Sequence, residues 1–261
     1  MRKEAIFVCG LLLRPVLASA QQSSGPVSPW DNRGYAQVFG GGQSGSHLLT
    51  DTSTFTIYDE QASIATSQTY GGGAVFGVGG GARVWRNVVV GLTYTRFADN
   101  METAVRARAP HPLFLNRFRD AEELRADNLQ HVEHAVHLSA TYMVPLSEDF
   151  TLGVSLGPSF VGVSHEFARD ARITETGASP EFATVDLSDV SFVRSSRTAA
   201  TVNVGADVTY NLPFSIGSLG RLGATLGLRY AGGSVDLDGA AGPTEVKYGG
   251  AQFTGGLRVT F

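Results

Sequence analysis

The sequence predicts an all-β fold, an eight-stranded antiparallel up-and-down transmembrane β-barrel. Three observations carry this prediction: apolar and polar side chains alternate along many segments, short and long connections alternate between those segments, and the chain closes on an amphipathic strand. Arg258 lies on the polar face of that strand, and the apolar face carries Phe253, Leu257, Val259 and Phe261. An apolar edge strand invites aggregation unless it is paired, and closure of the sheet into a barrel pairs it.

Residues 1–20 are predicted to form a secretory signal peptide. Two basic residues precede a short apolar run at 6–13, and the small residues at 18–20 form a cleavage site. The apolar run is far too short to cross about 30 Å of hydrocarbon as a helix. We therefore expect export to the cell outer membrane, with 21–33 as a periplasmic N-terminal segment and 34–261 as the barrel.

The composition of the exported chain narrows the classes of function. Loss of Arg2, Lys3, Glu4 and Arg14 with the signal peptide leaves 17 basic and 23 acidic residues, a formal charge of −6. The one cysteine, Cys9, is lost as well, so disulfides and thiol chemistry are excluded. A mildly acidic exported chain is a poor candidate for nucleic-acid binding, and no nucleic-acid partner is expected.

Eight segments show the period-two pattern of β-strands. Val202 and Val204, for example, alternate with Thr201 and Asn203. The polar faces are rich in Gly, Ser and Thr, which suits a narrow enclosed lumen, whereas an exposed face of a soluble sandwich usually carries long charged side chains. The predicted strands are 34–42, 69–84, 88–99, 130–145, 150–166, 190–212, 221–236 and 246–261.

The connections between these segments alternate in length. Short turns are predicted at 86–87, 147–149 and 213–220, and long polar loops at 43–68, 100–129, 167–189 and 237–245. Outer-membrane barrels have short periplasmic turns and longer external loops, so the pattern also sets the orientation. The Thr-rich region 47–70 leaves one alternative open: it either extends the first hairpin beyond the membrane or adds a pair of strands.

Aromatic side chains fall near the ends of the predicted strands, where transmembrane barrels carry girdles of amphipathic rings. One set lies beside the short turns, and a second set lies toward the long loops. The first set is Trp85, Tyr142, Phe150, Tyr210 and Phe261, and the second is Tyr94, Phe160 and Tyr230.

With these features the chain resembles the small outer-membrane β-barrels of Gram-negative bacteria, the OmpA/OmpX-like barrel family, over 34–261. The resemblance implies a structural or surface-interaction role, and outer-membrane lipid and lipopolysaccharide as partners. It also implies a monomer and a C-terminal signal read by the barrel-insertion machinery, which here would be Phe253, Leu257, Val259 and Phe261. A shared fold hosts many functions, so the resemblance bears on location and architecture more than on activity.

Six charged or titratable side chains are expected on the inner face of the barrel: Arg83, Glu133, His137, Asp207, Arg229 and Arg258. Buried charges need partners, so we predict paired arginines and carboxylates in the lumen. An eight-stranded barrel is just wide enough to be filled by side chains, which favours a closed plug. The alternative is a narrow porin-like channel for small solutes, lined by arginine.

The segment from His131 to His137 holds the densest set of possible metal ligands. On a helix His134 and His137 would be neighbours, whereas on a strand His131, Glu133 and His137 share a face. Structural zinc sites use tighter constellations, so no metal and no other cofactor are expected. His137 and Ser139 resemble part of the site of an outer-membrane lipid deacylase family, which leaves a lipid-modifying enzyme as a minor alternative. No further catalytic group accompanies them in sequence, so no catalytic residue is assigned.

The predicted loop 100–129 mixes five arginines with five acidic residues. A solvated loop explains this composition, and contact with lipopolysaccharide phosphates is the functional alternative, because arginine binds phosphate well.

Overall fold

The computed structural model describes residues 30–217, 220–239 and 241–261, and the predicted signal peptide lies outside them. Eleven strands make up this part of the chain. They are β1 (Gly34–Ser44), β2 (His47–Ile57), β3 (Glu60–Tyr70), β4 (Gly73–Trp85), β5 (Val88–Pro110), β6 (Phe118–Asp120), β7 (Leu124–Pro145), β8 (Phe150–Glu175), β9 (Val185–Ser215), β10 (Arg221–Asp238) and β11 (Pro243–Thr260). Within these residues there is no helix that is long and apolar enough to cross a membrane.

Eight of these strands form a closed antiparallel ring. The order around the wall is β1, β4, β5, β7, β8, β9, β10 and β11, and β11 pairs back onto β1. The closing seam runs from Tyr35, opposite Thr260, to Ser44, opposite Ala251. The predicted eight-stranded barrel is therefore confirmed, with the terminal strand as the closing element.

The first hairpin is longer than the barrel wall. β2 follows β1 after two residues and pairs with β3, while β3 leads into β4 and continues the same path beside β5. Tyr58 and Asp59, with φ of 53° and 58°, form the tight turn at its tip. Of the two alternatives for the 47–70 region, the structure has the extended hairpin, and the ring keeps eight strands.

The three short turns lie where the alternation predicts them, between β4 and β5, between β7 and β8, and between β9 and β10. The four long loops are wrong as loops. Strand structure covers most of 43–68, 100–129, 167–189 and 237–245. A membrane strand needs about 10 residues, so β5, β8 and β9, with 23, 26 and 31 residues, extend far past one side of the membrane.

An apolar belt surrounds the ring near the short turns. Leu226 is 74% exposed and Phe76 67% exposed, although both project from well-paired strands. The belt also contains Val38, Val78, Val90, Leu92, Val136, Leu138, Val154, Leu156, Val202, Val204, Leu228, Phe253 and Leu257, and all eight predicted girdle aromatics are exposed beside it. So much outward apolar surface suits lipid and not water, as in a transmembrane barrel.

Beyond the belt the polarity of the wall reverses. On β5, Leu92 and Tyr94 face outward within the belt, but farther along the same strand Met101 and Val105 face inward and are fully buried. The outward positions there carry charged side chains such as Arg106. Water surrounds this protruding half, so its apolar side chains pack inside, as in a soluble protein. This reversal explains why the extensions were predicted as loops. The alternation of polar and apolar residues continues in them, but the strand prediction assumed outward apolar residues, and here the apolar residues face inward.

Two apolar clusters fill the protruding half. The lower one lies just outside the belt and includes Leu49, Met101, Phe167 and Leu237. The upper one joins Ile64 and Val105 of the β3–β5 side to Ala171 and Val185 of the β8–β9 hairpin. The extensions are therefore packed against one another as a rigid body with its own core.

The opposite mouth of the barrel is closed by the segment that precedes β1. Trp30 is 4% exposed and packs with Tyr35, Val89 and Met143. Its amide donates to Asn87 Oδ1 at 3.2 Å, and the Asn87 amide donates to the carbonyl of Met143 at 2.8 Å. Trp30 thus seals the short-turn end.

The seam makes a first testable prediction. A Cβ on Gly41 would lie 1.9 Å from the Phe253 carbonyl oxygen of β11, whereas a Cβ on the neighbouring Gly42 would meet its nearest atom at 3.8 Å. We expect Gly41→Ala to destabilise the refolded barrel by about 3 kcal/mol, the upper range for overpacking, and Gly42→Ala to leave stability nearly unchanged. Urea unfolding in detergent micelles measures both, and equal stability of the two variants would contradict the prediction.

Candidate functional site

An ion pair with its hydrogen bonds spans the lumen at the level of the belt. Arg258 Nη1 lies 2.6 Å from Asp207 Oδ1. The guanidinium also donates to Gln37 Oε1 from Nε and Nη2, at 3.0 and 2.6 Å, and to Thr209 Oγ1 at 2.8 Å. Its carbon lies 4.4 Å from the centre of the Tyr35 ring. Arg258 is 3% exposed, so one side chain from the closing strand fills the middle of the barrel.

A second polar layer lies further toward the protruding half. His137 contacts Ser159 Oγ through Nδ1 at 2.7 Å and Thr95 Oγ1 through Nε2 at 3.0 Å. Asn203 donates to Ser159 Oγ at 2.8 Å and accepts from Ser139 Oγ at 3.2 Å. These side chains are at most 7% exposed and satisfy one another, so the layer is part of the packed interior.

The third polar layer is a chain of hydrogen bonds through two histidines. Gln68 Nε2 donates to the Glu166 carbonyl at 2.9 Å, so its Oε1 faces His165 Nε2 at 3.0 Å and accepts from it. Neutral His165 then accepts through Nδ1 from His131 Nδ1 at 3.0 Å. The remaining proton lies between His131 Nε2 and Glu133 Oε1, which are 2.9 Å apart. The partners thus fix the direction of the hydrogen bonds among Gln68, His165 and His131.

A backbone amide beside this layer completes the contacts of Glu133. The amide of Gly249 donates to both Glu133 oxygens, at 3.0 and 3.1 Å. One N–H thus bridges the carboxyl group, whose Oε1 also contacts His131 Nε2. The Tyr70 ring packs 4.7 Å from the His131 ring and 5.0 Å from the His165 ring, which closes the layer.

The six side chains predicted for the lumen lie at different heights. Asp207, Arg229 and Arg258 line one cavity of about 40 Å³, room for only a few water molecules. Arg229 lies 6.0 Å from the centre of the Phe39 ring. Glu133 and His137 belong to the separate layers above, and Arg83 lies at the short-turn mouth, where it donates to the Trp30 carbonyl. The structure brings three of the six together and distributes the others.

The residues considered for a metal site and for a lipid-modifying enzyme form hydrogen bonds within the barrel interior. His131 and Glu133 bind each other directly, and within the described ranges no three His, Cys, Asp or Glu side chains converge as metal ligands. His137 hydrogen-bonds Ser159 and not Ser139, whose hydroxyl donates to Asn203. The strand alternative for the His131–His137 segment is thus the observed one, and His134 projects outward.

Outside the belt, an arginine joins three of the long hairpins. Arg119 on β6 forms an ion pair with Glu175 at the end of β8, and its Nη2 donates to Glu175 Oε1 at 2.8 Å. The same guanidinium donates to the carbonyls of Pro110 and Phe182, at 2.8 and 2.6 Å. Tyr58, at the tip of the first hairpin, donates to Glu175 Oε1 at 3.2 Å. We call this group the Arg119 clasp.

The Arg119 clasp predicts an acid transition. The hydrogen bond from Arg119 holds the pKa of the Glu175 carboxyl below its ordinary value. A carboxyl with a depressed pKa stabilises the folded form above about pH 4.3 and loses that contribution as the pH falls through the folded pKa. We expect backbone hydrogen exchange at 111–119 and 176–184, corrected for intrinsic rates, to rise about tenfold on acidification below pH 4. Glu175→Gln should show the faster exchange already at pH 7, and an unchanged Glu175→Gln profile would contradict the prediction.

The protruding half carries an apolar loop between β5 and β6, residues 112–117, which we call the apolar tip. Leu113, Phe114 and Leu115 are 58%, 48% and 76% exposed. His111 orders the loop, since its Nδ1 accepts from the amides of Leu113 and Phe114 at 3.1 and 3.3 Å. The amide of Asn116, with φ of 59°, donates to Glu60 Oε1 at 2.8 Å. The tip is therefore held in one shape while its large side chains face solvent.

The sequence patterns did not identify several of these residues. Ser159 and His165 could have been found, because the alternation of 150–166 places both on the inner face. Gln68, Arg119 and Glu175 could not, because they fall in segments predicted as loops. The apolar tip had a visible signal, a Leu-Phe-Leu run within the polar 100–129 region.

An eight-stranded ring with an apolar outer belt and a packed polar interior defines a small transmembrane β-barrel. No protein-family model matches the chain, and no curated protein matches it.

Solved structures similar to this chain include three proteins. Neisserial surface protein A (NspA) is 14% identical over 87% of this chain and 97% of that chain, with a TM-score of 0.40. Ail, the attachment invasion locus protein of Yersinia pestis, is 10% identical over 88% and 99%, with a TM-score of 0.35. The outer membrane protease OmpT of Escherichia coli is 11% identical over 90% and 98%, with a TM-score of 0.40. At these scores the assignment of the barrel rests on the strand pairing of the chain itself.

Proposed function

We propose that this chain is an outer-membrane β-barrel whose role is surface interaction, with the apolar tip as the contact surface. The proposal rests on the tip because exposure of its large apolar side chains to water is unfavourable in an isolated molecule. Large apolar side chains that an ordered loop holds in water mark contact sites in soluble parts of proteins. The short turns face the periplasm in this proposal, and the protruding half faces the exterior.

The surroundings of the tip support a specific contact over a merely sticky loop. The Arg117 guanidinium lies 5.8 Å from the Phe114 ring centre and that of Arg108 lies 4.9 Å from the Phe118 ring centre. Aromatic and arginine side chains are the types enriched at binding hot spots. The Arg119 clasp fixes the base of the loop, so little ordering entropy remains to be lost on binding.

The lumen supports a role without transport. Arg258 and its partners leave a cavity of about 40 Å³ at the belt, and Trp30 closes the short-turn mouth. The porin-like alternative requires a water path past both. Planar-bilayer recording on the folded protein tests this directly: we expect no channel events, and single-channel steps altered by Arg258→Gln would favour the pore.

The experiment on the tip uses cells that display the protein. We expect the Leu113→Ser, Phe114→Ser, Leu115→Ser triple variant to reduce cell–cell and cell–surface attachment at least fivefold relative to wild type, at equal outer-membrane levels. The loss follows from removal of the apolar contacts, worth about 1 kcal/mol or more for each anchor. A matched control replaces Thr50, Thr52 and Thr54, exposed on β2, by serine.

Attachment by the triple variant equal to that of wild type would contradict the surface role. Recovery of the wild-type protein from the soluble fraction, instead of the outer membrane, would contradict the location. The remaining expectations stay proposals. They are a monomer without catalytic activity, contact with lipopolysaccharide, and recognition of Phe253, Leu257, Val259 and Phe261 by the insertion machinery. Exposure of Phe253 (59%) and Phe261 (53%) supports the last of these.

A further inference from the structure

Basic side chains interrupt the apolar outward face of the wall near the edge of the belt. Tyr94 on β5 and Val136 on β7 are large outward residues of the belt, and they pair across the strands, whereas the outward pair two steps further on is the smaller Ala98 and Val132. The next outward residues toward the exterior are Arg96 and His134, which are also directly paired. Their side chains thus lie side by side, because opposed Cβ atoms on neighbouring strands are about 5 Å apart.

Both side chains of this pair are free to donate outward. Tyr94 Oη lies 2.7 Å from His134 Nδ1. A phenol hydroxyl that donates to Nδ1 leaves the proton of neutral histidine on Nε2, which faces away from the tyrosine. Within the described ranges Arg96 forms no ion pair and no side-chain hydrogen bond, so all of its donors are available.

No carboxylate competes for this pair. On the far side of Arg96 the cross-strand partner is Phe76 of β4, and on the far side of His134 it is Gly162 of β8. Two acidic side chains further along these strands have partners of their own: Asp99 accepts from the Gly71 amide, and Glu166 of β8 accepts from Arg194. A guanidinium beside an imidazole N–H, with a phenyl ring on one side and a glycine on the other, is complementary to an anion.

The height of the pair identifies the anion. Two residues of strand beyond Tyr94 correspond to about 7 Å along the strand, or about 5 Å along the barrel axis at a tilt near 40°. The headgroup layer outside the hydrocarbon is about 5–7 Å thick on each side, so Arg96 and His134 lie in it. Acyl chains would cover Leu92 below them, and headgroup phosphates would lie beside the guanidinium.

We propose that Arg96, His134 and Tyr94 form a binding site for the phosphate of an outer-leaflet lipid, in this membrane the phosphorylated glucosamine lipid of lipopolysaccharide. Arg96 binds two phosphate oxygens through its planar fork, and His134 Nε2–H donates to a third. Tyr94 orients the imidazole and packs against the first acyl carbons. The site rests on the outer-membrane location and on the orientation of the proposed function, but not on the apolar tip.

The test measures lipid retention by purified, refolded protein. Native mass spectrometry from detergent micelles counts molecules of bisphosphorylated lipid A bound per barrel, with lipid A lacking phosphate as the matched probe. We expect wild type to retain the bisphosphorylated form at least tenfold better than the phosphate-free form. The Arg96→Gln/His134→Gln variant should lose that preference about tenfold, whereas Arg108→Gln, an exposed arginine of the protruding half, should keep it.

Equal retention of the two lipids by wild type, or an unchanged preference in the double variant, would overturn the site. Inorganic phosphate that binds the barrel as tightly as lipid A would overturn the lipid assignment in favour of a free anion. A heat-dependent gel shift confirms that each variant is folded. Because retention is measured without cells, its failure is distinct from failure of the attachment experiment, in which the Arg96→Gln/His134→Gln variant should behave as wild type.

Discussion

Arg258→Met is expected to lower the free energy of unfolding by about 3 kcal/mol, the cost of leaving one member of a largely buried ion pair without its partner. Arg258 forms an ion pair with Asp207 and donates hydrogen bonds to Gln37 and Thr209 in the lumen. Methionine fills part of the volume but donates to none of them. Urea unfolding of the refolded protein in lipid vesicles, followed by tryptophan fluorescence, measures the loss.

Two controls separate the ion pair from simple loss of packing. Arg258→Met combined with Asp207→Asn should recover about half of the lost stability, because the unpaired charge is gone. Arg229→Met, which alters the same cavity but removes a cation without an ion pair within the described residues, should cost less than about 1 kcal/mol. A double variant as unstable as Arg258→Met alone would show that charge pairing contributes little.

Glu133→Gln is expected to cost about 2 kcal/mol, in the range of hydrogen bonds to charged groups. The carboxyl group accepts from the Gly249 amide through both oxygens, and its Oε1 lies 2.9 Å from His131 Nε2. An amide has the same shape, but it provides only one accepting oxygen. One of the two Gly249 contacts then has no acceptor.

The layer that contains Glu133 also joins strands that are far apart in sequence, since Gln68 and Gly249 are at its two ends. We therefore expect Glu133→Gln to speed hydrogen exchange on β3 and β11 together. Glu245→Gln, an exposed carboxylate on β11, is the matched control and should change neither stability nor exchange. Faster exchange confined to β7 would contradict the coupling of these strands through the histidine chain.

The strands of the membrane half can be predicted from the sequence, whereas their extensions in the protruding half cannot. In the belt the environment is lipid outside and packed polar groups inside, so period-two alternation with outward apolar residues identifies the strands. Beyond Tyr94 the solvent changes to water and the same strand buries Met101 and Val105 instead. A prediction that assumes outward apolar residues throughout therefore loses the strand beyond the belt, although the strand continues to Pro110.

The interior is predictable to a similar limit. The period-two alternation of the strands places Asp207, Arg229 and Arg258 on the inner face, and the structure shows them around one cavity. Alternation does not give the position of a residue along the barrel axis. It therefore did not separate Glu133 and His137 into layers of their own or place Arg83 at the mouth. The contacts of Arg119 and Gln68 join segments through tertiary packing, and no local pattern reports them.

The continuity of the long strands has a mechanical consequence. β5 runs without interruption from the short turn at Arg86 to the base of the apolar tip, paired along its length with β4, β3 and β7. A pull on the tip therefore acts parallel to the strands and loads many backbone hydrogen bonds in shear at once, instead of opening them one by one. An outward load on a bound tip would reach the membrane anchor before any part of the wall unzips.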